Sequence, residues 1–286
     1  MPDNLRLNFI KINPSGNLTL LVRDPLPLSW HRKIASKLMS FQYLACEQVG
    51  FIEKAGSDKA AARLQMMGGE FCGNAARALA ALMVEQGHPQ IKKDSNSPNK
   101  LAIALEVSGY SGLLNCKVCR TGEGSFWAES SVPVPRKVES CTLHLQGEKV
   151  RAWRVYMEGI THLVLFDVSP GEEVFRQARS WIDPYEKAEA AGVMFYQTTT
   201  SQLTPLVVVG KNYPPVWEGS CGSGSVAVAA AMAKENSNTF PELRLEQPQG
   251  IIYVDLFGSR GELDGASIKG GVEMVAEGTV TVLVHR

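Results

Sequence analysis

FCGNAARALAALM, residues 71–83, recurs 149 residues further along the chain as SCGSGSVAVAAAM, residues 220–232. In both copies a cysteine, a glycine and a small polar residue open a run that is rich in alanine and other apolar residues. Alanine and leucine lead the scale of helix propensity, so each run predicts a helix with its cysteine at the N-terminus. The second run has no charged residue over positions 222–233, which is typical of a buried helix.

The position of the two cysteines predicts acid–base chemistry on a small acid. The first N–H groups of a helix lack intrahelical partners and carry the positive end of the helix dipole, so they bind carboxylates and favour a thiolate over a thiol. Two such helix starts around one ligand would provide a base on one face of a carbon and an acid on the other, as a cofactor-free racemase or epimerase requires. We therefore predict Cys72 and Cys221 as the catalytic pair. The backbone N–H groups expected to hold the α-carboxylate of the substrate are those of Gly73, Asn74, Gly222 and Ser223.

Length and composition favour two similar halves and a small-molecule substrate. A chain of 286 residues accommodates two domains of ordinary size, and the repeated motif favours two related halves over one large core. Basic and acidic residues balance at 29 each, so we predict no basic surface for nucleic acid or for an anionic membrane. No segment has the length and apolarity of a membrane span, and the first residues lack the apolar run of a signal peptide. We expect a cytoplasmic protein.

The order of the predicted elements repeats along with the motif. Each half contains strand-like segments, an amphipathic helix and then its cysteine helix, followed by further strands. We predict an α+β fold of two pseudo-symmetric domains, each of which is a curved, mostly antiparallel sheet wrapped around a central helix.

Three finer expectations concern individual segments. Apolar residues at spacings of three and four predict an amphipathic helix over residues 29–48, with Ser29 as its N-cap. The polar stretch 92–100 is expected to be a loop. The last two strands are expected at residues 266–273 and 279–284.

The six cysteines are expected to be reduced thiols, because the chain shows no export signal and their spacing is irregular. Cys116 and Cys119 form a CxxC pair, but the surrounding sequence predicts a strand, in which residues three apart point to opposite faces. We therefore expect neither a metal site nor a redox site at this pair.

The two cysteine motifs and their surroundings resemble the diaminopimelate epimerase fold family of cofactor-independent amino-acid racemases. CGNAAR, from residue 72, looks like that family's CGNGAR, and CGSG, from residue 221, looks like its CGTG. The segment 11–20 resembles the N-terminal segment whose asparagine touches substrate, and GITH, residues 159–162, resembles a GNPH segment. The likeness spans nearly the whole chain.

This resemblance implies Asn17 and His162 as further substrate-binding residues, an amino acid as the substrate, and neither a cofactor nor a metal. It also implies that the last strand returns to the first domain. The expected domains are therefore residues 1–130 with 275–286, and residues 131–274. The oligomeric state is not determined by the sequence, and a homodimer is one expected state.

Differences from the epimerase concern the substrate more than the reaction. The epimerase carries a Glu-Arg-Gly segment nine residues before its second cysteine, and that arginine holds the distal carboxylate of diaminopimelate. This sequence has NYP at residues 212–214 instead, Ile160 stands where the family has asparagine, and Met66 replaces another polar residue. The distal carboxylate would lose its partner at a cost on the order of 3 kcal/mol or more, so diaminopimelate is not the expected substrate.

A closer resemblance is to the branch that includes histidine racemases of opine-type metallophore pathways, through RLQMMGGEFC at residues 63–72. It implies an imidazole held by a carboxylate, for which Glu53 and Glu47 are the candidates. Three alternatives stay open. The chain could be a racemase or epimerase of another amino acid, a cysteine hydrolase or acyltransferase with His162 as the base for Cys221, or a non-catalytic amino-acid-binding protein.

Overall fold

The structure is a computed structural model that describes residues 4–95, 97–179, 181, 190–209, 215–236, 242–259 and 262–283. It is a sheet-dominated α+β fold, as predicted, with 17 strands and 4 helices among these residues. The chain divides into two compact units, Met1–Ser130 with Lys269–Arg286, and Ser131–Ile268. Within the described ranges, no helix is both long and apolar enough to cross a membrane.

The first unit is built from two helices and a succession of mostly short strands. In chain order these elements are β1 (Asn4–Pro14), β2 (Thr19–Val22), α1 (Leu28–Met39), β3 (Gln48–Glu53), β4 (Arg63–Met66), α2 (Gly73–Glu85), β5 (Lys92–Asp94), β6 (Ser97–Val107), β7 (Leu114–Gly122) and β8 (Ser125–Val132). Strand β1 is antiparallel to β2, and β2 runs parallel to β3 after the α1 crossover. Strand β3 is antiparallel to β4, and β4 runs parallel to β6 after the α2 crossover. Strands β6, β7 and β8 then follow as antiparallel neighbours.

Helix α2 is buried along its length because its sequence is almost entirely small or apolar. Every residue from 73 to 84 is buried, in a core that includes Leu64 of β4 and Val118 of β7. The chain leaves the helix at Gly87, whose φ of +64° is the left-handed conformation that favours glycine. The repeated motif therefore predicted a central helix correctly in this unit.

The second unit follows a similar order of elements. They are β9 (Lys137–Leu145), β10 (Glu148–Tyr156), β11 (Ile160–Phe166), α3 (Glu172–Arg179), β12 (Ala190–Gln197), β13 (Gln202–Val209), β14 (Val216–Trp217), α4 (Gly222–Asn236), β15 (Leu243–Gln247) and β16 (Gly250–Ser259). The last strand, β17 (Glu262–Leu283), begins in this unit, and its residues from Lys269 onward belong to the first unit. Strand β10 is antiparallel to β9 and β11, and β11 runs parallel to β12 after α3. Strand β12 is antiparallel to β13, β13 runs parallel to β15 after α4, and β15 is antiparallel to β16.

The prediction for the first amphipathic helix was too long and placed its cap wrongly. Helix α1 ends at Met39, because Ser40 is extended and both its N–H and its hydroxyl donate to the carbonyl of Lys37. Phe41, one of the apolar residues whose spacing predicted a helix over residues 29–48, is 92% exposed. The N-cap is Pro27, with no side-chain hydrogen bond, rather than Ser29.

Two predictions near strands were also wrong. The polar stretch 92–100 contains β5 and the start of β6, which pair as antiparallel strands, so polar composition here marks exposed strand rather than loop. The two strands expected at 266–273 and 279–284 are one continuous strand, β17. Its later part pairs with β1 along its whole length, from Asn4 opposite Leu283 to Pro14 opposite Val272.

Candidate active site

Cys72 is the N-cap residue of α2. Its φ and ψ of −138° and 108° are extended, and its sulfur accepts a hydrogen bond from the backbone N–H of Ala75 at 3.4 Å. That bond satisfies one of the N–H groups that a helix start leaves without a partner, and it holds the sulfur at the positive end of the helix. Gly73 and Asn74 form the first turn of the helix directly after it, and both are buried.

Gln48, at the start of β3, connects Cys72 to Asn17. The Cys72 thiol donates to Gln48 Oε1 at 3.0 Å, and Gln48 Nε2 donates to Asn17 Oδ1 and to Thr19 Oγ1, both at 2.6 Å. Asn17 Nδ2 in turn donates to the carboxylate of Glu47 at 2.8 Å. Because two oxygen acceptors hold the amide nitrogen of Gln48, its amide oxygen is directed at the sulfur.

A buried cation belongs to the same network. Arg77 of α2 is fully buried and donates to Asn74 Oδ1 at 2.8 Å and to Ser15 Oγ at 3.3 Å. Asn74 Nδ2 donates to Asn17 Oδ1 at 3.3 Å. Burial lowers the pKa of the Arg77 guanidinium to about 10, and its electrostatic interaction with Cys72 acts in the opposite direction. The first cysteine therefore has a positive charge on its own helix.

Cys221 directly precedes α4, and hydrogen bonds hold its backbone on both sides. Its N–H donates to Gln247 Oε1 of β15 at 2.8 Å, and its carbonyl accepts from the hydroxyl of Ser225 at 2.6 Å. Gln247 Nε2 donates to that same hydroxyl at 2.9 Å, which closes the arrangement. The position of Cys221 at the helix start is thus fixed by side chains of α4 and β15.

Three groups surround the sulfur of Cys221. It accepts a hydrogen bond from the N–H of Gly224 at 3.4 Å, lies 3.6 Å from Ser223 Oγ, and interacts electrostatically with the carboxylate of Glu218. Burial raises the pKa of the thiol well above its ordinary value, and the charge of Glu218 raises it further. The bonds from Ser223 and Gly224 act in the opposite direction but are smaller effects. The balance favours a protonated sulfur.

His162 of β11 is fully buried, and its Nε2 lies 2.9 Å from Ser223 Oγ. Its Nδ1 has no hydrogen-bond partner among the residues that the structure describes. Burial lowers the pKa of the imidazole from 6.5 to about 3, so the ring is neutral near neutral pH. Gly192 of β12 is directly opposite His162, and a β-carbon added there would lie 2.5 Å from Nδ1. The imidazole therefore occupies space that only a glycine leaves open.

The structure groups the predicted site residues by unit. Asn17, Gly73 and Asn74 lie with Cys72 in the first unit. His162, Gly222 and Ser223 lie with Cys221 in the second. In each unit, the copy of the motif thus contributes to a local cluster of hydrogen-bonding groups around one cysteine sulfur.

Two residues that act on the sulfurs were not predicted from the sequence. Glu218 lies only three residues before Cys221, so an inspection of ionisable residues around each motif would have found it. Gln48 is 24 positions before Cys72 in the chain, and its contact depends on how β3 runs beside β2. No local sequence signal indicates that contact.

The other positions singled out in the sequence have different surroundings. Glu53 forms an ion pair with Arg63 at 3.4 Å, across the β3–β4 pairing. Met66 is buried in the core around α2, and Ile160 begins β11. Residues 212–214, where the arginine of the epimerase is replaced, lie outside the described residues.

The remaining cysteines are free thiols. Cys116 is buried and Cys119 is half-buried, three residues apart on β7. Over the described part of the chain, no group of three or more histidine, cysteine, aspartate or glutamate side chains is arranged to hold a metal ion.

Comparison with solved structures defines the class of fold. A hydroxyproline epimerase from Agrobacterium vitis, solved with bound trans-4-hydroxy-L-proline, aligns with a TM-score of 0.68 at 12% identity, over 98% of this chain and 93% of that one. A probable proline racemase from Agrobacterium radiobacter K84 aligns with a TM-score of 0.67 at 13% identity, over 96% and 92% of the two chains. The fold is therefore one that racemases and epimerases use.

Sequence comparison then identifies the family. The family model described as the histidine racemase CntK N-terminal domain matches residues 6–281. The histidine racemase of Staphylococcus aureus (strain Mu50 / ATCC 700699) is 28% identical over 279 residues, which cover 95% of this chain and 96% of that relative. The chain belongs to the histidine racemase CntK family and is an isomerase. The family resemblance drawn from the cysteine motifs is confirmed.

Proposed function

We propose that this isomerase is a pyridoxal-phosphate-independent amino-acid racemase that interconverts L- and D-histidine through Cys72 and Cys221. The observation that carries the proposal is the same local geometry at two helix starts. In each, the cysteine sulfur accepts a first-turn N–H at 3.4 Å, from Ala75 in one unit and from Gly224 in the other. If the two cysteines only filled space in the core, their sulfurs would not both have to accept an N–H group at a helix N-terminus.

The proposed reaction moves protons between the α-carbon and the two sulfurs. One cysteine, as the thiolate, removes the α-proton, and the other, as the thiol, delivers a proton to the opposite face. The reverse reaction exchanges the two roles. The N–H groups at the starts of α2 and α4 stabilise the negative charge that develops on the substrate carboxylate. They belong to Gly73, Asn74, Gly222 and Ser223. The scheme uses no cofactor, because protons move only between carbon and sulfur.

We further propose that the two units are pseudo-symmetric domains, since an inversion at one carbon calls for similar groups on both of its faces. The order of strand pairing supports this. In both units an antiparallel pair leads through a surface helix to a parallel neighbour. A second antiparallel pair then leads through the cysteine helix to another parallel neighbour.

Histidine is proposed over diaminopimelate because the sequence lacks the arginine that would hold a second carboxylate. Of the two acidic candidates for the imidazole, Glu47 has the stronger support. Its carboxylate is bonded to Asn17, which Gln48 joins to Cys72. Glu53 is instead engaged by Arg63. We propose that Glu47 accepts a hydrogen bond from the substrate imidazole.

The properties of His162 weigh against the cysteine hydrolase alternative. A hydrolase would need His162 to take a proton from Cys221, yet burial lowers the pKa of this imidazole to about 3. Its Nε2 faces Ser223 Oγ instead. A base of that strength would remove few protons from a thiol at neutral pH. We propose that His162 orients Ser223 in the substrate-binding site.

The function is tested by incubating the enzyme with single L-amino acids in deuterated buffer and following the α-proton signal by NMR. We expect L-histidine to lose that signal, to gain one deuteron at Cα and to approach a racemic mixture. Comparable exchange with several unrelated amino acids would contradict the choice of histidine. Binding without any exchange would favour the non-catalytic alternative.

The same assay on two matched variants tests the proposed imidazole contact. Glu47→Gln is expected to raise KM for histidine by about tenfold or more, because a hydrogen bond to a charged group contributes about 1.5–3 kcal/mol. Glu53→Gln, in the same segment, should stay within about twofold of the unaltered enzyme. Equal effects of the two substitutions would remove the support for Glu47.

We propose a cytoplasmic homodimer that provides D-histidine for an opine-type metallophore, on the basis of the family resemblance. Sedimentation velocity measures the assembly. If the metabolic role is correct, D-histidine but not L-histidine should restore metal-limited growth to a strain that lacks the gene. Equal rescue by both enantiomers would argue against that role.

Gly192→Ala tests the placement of His162. The new methyl group would lie 2.5 Å from Nδ1, so the imidazole must move and its contact with Ser223 must lengthen. We expect kcat/KM to fall by about 10- to 100-fold, with a loss of unfolding free energy of about 1–3 kcal/mol. Gly171→Ala is the matched control, because its β-carbon would meet nothing within 4 Å. An unchanged kcat/KM in Gly192→Ala would show that His162 does not position a reacting group.

A further inference from the structure

The hydroxyl of Ser223 lies between the imidazole of His162 and the sulfur of Cys221. His162 Nε2 is 2.9 Å from Ser223 Oγ, and this oxygen is 3.6 Å from Cys221 Sγ, a distance at which a hydroxyl can donate to the larger sulfur atom. A hydroxyl has a single proton, so it can donate to the imidazole or to the sulfur but not to both. The direction of both bonds therefore depends on which ring nitrogen of His162 carries the proton.

The surroundings of Nδ1 indicate that this proton is on Nε2. Nδ1 is buried and has no hydrogen-bond partner in the described part of the chain. A β-carbon added to Gly192 would lie 2.5 Å from Nδ1 and 2.8 Å from Cε of the buried Met194, so this side of the ring packs against a glycine and a methyl group. A proton on Nδ1 would be a buried donor without an acceptor, which is rare and costly in proteins.

The same tautomer follows from the ionised form of Cys221, which the proposed reaction requires. A thiolate can only accept hydrogen bonds, and the sulfur already accepts one from the N–H of Gly224. If the Ser223 hydroxyl donated to His162, the lone pairs of its oxygen would face the thiolate with no proton between them, which is unfavourable in a buried site. If the imidazole donates to the hydroxyl instead, the hydroxyl proton is left for the sulfur.

We propose that His162, as the Nε2–H tautomer, donates to Ser223 Oγ, and that the Ser223 hydroxyl donates to the Cys221 sulfur and stabilises its thiolate. The Ser223 side chain is thus a positioning group that acts through Cys221, and His162 fixes the direction of the hydroxyl. The catalytic meaning of this assignment rests on the proposed racemase function. The tautomer of His162 and the contact between Ser223 and the thiolate do not.

The direction of the bonds is tested on the free, full-length protein by ¹⁵N NMR. The imidazole rings of the five histidines are labelled with ¹⁵N, and the His162 signals are assigned by their loss in His162→Gln. We expect a protonated nitrogen at Nε2 and an unprotonated one at Nδ1 near neutral pH. The opposite pattern, with the proton on Nδ1, would overturn the proposal.

The effect on the sulfur is tested by alkylation of Cys221 with iodoacetamide at about pH 8, followed by mass spectrometry of the peptide that contains it. Only the thiolate reacts, and burial and the charge of Glu218 already disfavour it. Ser223→Ala should lower the thiolate fraction by about 10- to 100-fold, because a donor to a charged group is lost. The remaining thiolate is more nucleophilic, so the observed rate should fall by about 3- to 10-fold.

Two further variants serve as controls for alkylation. Ser223→Thr keeps the hydroxyl and should stay within about twofold of the unaltered rate. Ser140→Ala, at an exposed position of β9 in the same unit, should leave the rate unchanged. An equal rate of Cys221 alkylation in Ser223→Ala and in the unaltered protein would overturn the role of the hydroxyl.

In an active enzyme, Ser223→Ala should lower kcat by about tenfold or more with little change in KM, because the backbone N–H of this residue is kept. A purely structural defect would not separate the two constants in this way or be rescued by Ser223→Thr. If the NMR and alkylation results hold in a protein that does not racemise histidine, the proposed function fails and this assignment stands. If racemisation is found with the proton on Nδ1, the reverse is true.

Discussion

Serine in place of either Cys72 or Cys221 is expected to lower kcat for racemisation by about 10²- to 10⁴-fold, the usual contribution of a positioned acid or base. A hydroxyl gives up its proton far less readily than a thiol, so the variant lacks either the base or an acid of suitable strength. The fold should survive, because serine is among the best N-cap residues and can accept the N–H that the sulfur accepts now.

The measurement is deuterium incorporation at Cα for each single variant, with circular dichroism as the check on folding. Cys119→Ser is the matched control, since this half-buried thiol of β7 lies outside both clusters and should keep full activity. A hydrolase that uses only Cys221 would tolerate Cys72→Ser. Retention of more than about a tenth of the activity in either active-site variant would contradict the two-cysteine mechanism.

The second large effect concerns the pH dependence of stability. His162 has its pKa lowered from 6.5 to about 3 by burial, so the unfolded chain binds a proton here more readily than the folded one. The stabilisation is fully present above about pH 6.5 and is lost as the pH falls towards about 3. At 1.36 kcal/mol per unit of pKa, the loss of unfolding free energy relative to neutral pH is about 2 kcal/mol at pH 5 and on the order of 4 kcal/mol at pH 3.

Denaturant unfolding at several pH values measures this loss. His162→Gln removes the titrating group, so its unfolding free energy should fall about 2 kcal/mol less between pH 7 and pH 5 than that of the unaltered protein. His144→Gln, at an exposed position of β9, should show the original dependence. His31 is also buried and its pKa is lowered by burial, so the unfolding free energy of His162→Gln should still depend on pH to a smaller extent. Parallel curves for the two variants would contradict the neutral, buried state of His162.

The local sequence pattern predicted secondary structure correctly where neighbouring residues alone determine it. The alanine-rich runs form α2 and α4 because their residues favour a helix and offer no polar face to solvent. The pattern failed at Phe41, where an exposed apolar side chain imitated the core-facing periodicity of α1. It failed again at 92–100, where strand pairing satisfies the backbone of a polar segment. Both errors arise because pairing and burial depend on residues far along the chain.

The repeated cysteine motif, together with the segments around it, was enough to predict the class of fold, the family and a cysteine at the start of each central helix. These features depend on the short-range geometry of a helix N-terminus, which a few consecutive residues encode. Only the tertiary structure decided what surrounds each sulfur. Gln48 meets Cys72 through strand pairing, and His162 depends on the missing β-carbon of Gly192 on a neighbouring strand. The pKa of a buried group depends on the burial that folding produces, as it does for His162, and a local stretch of sequence does not specify that burial.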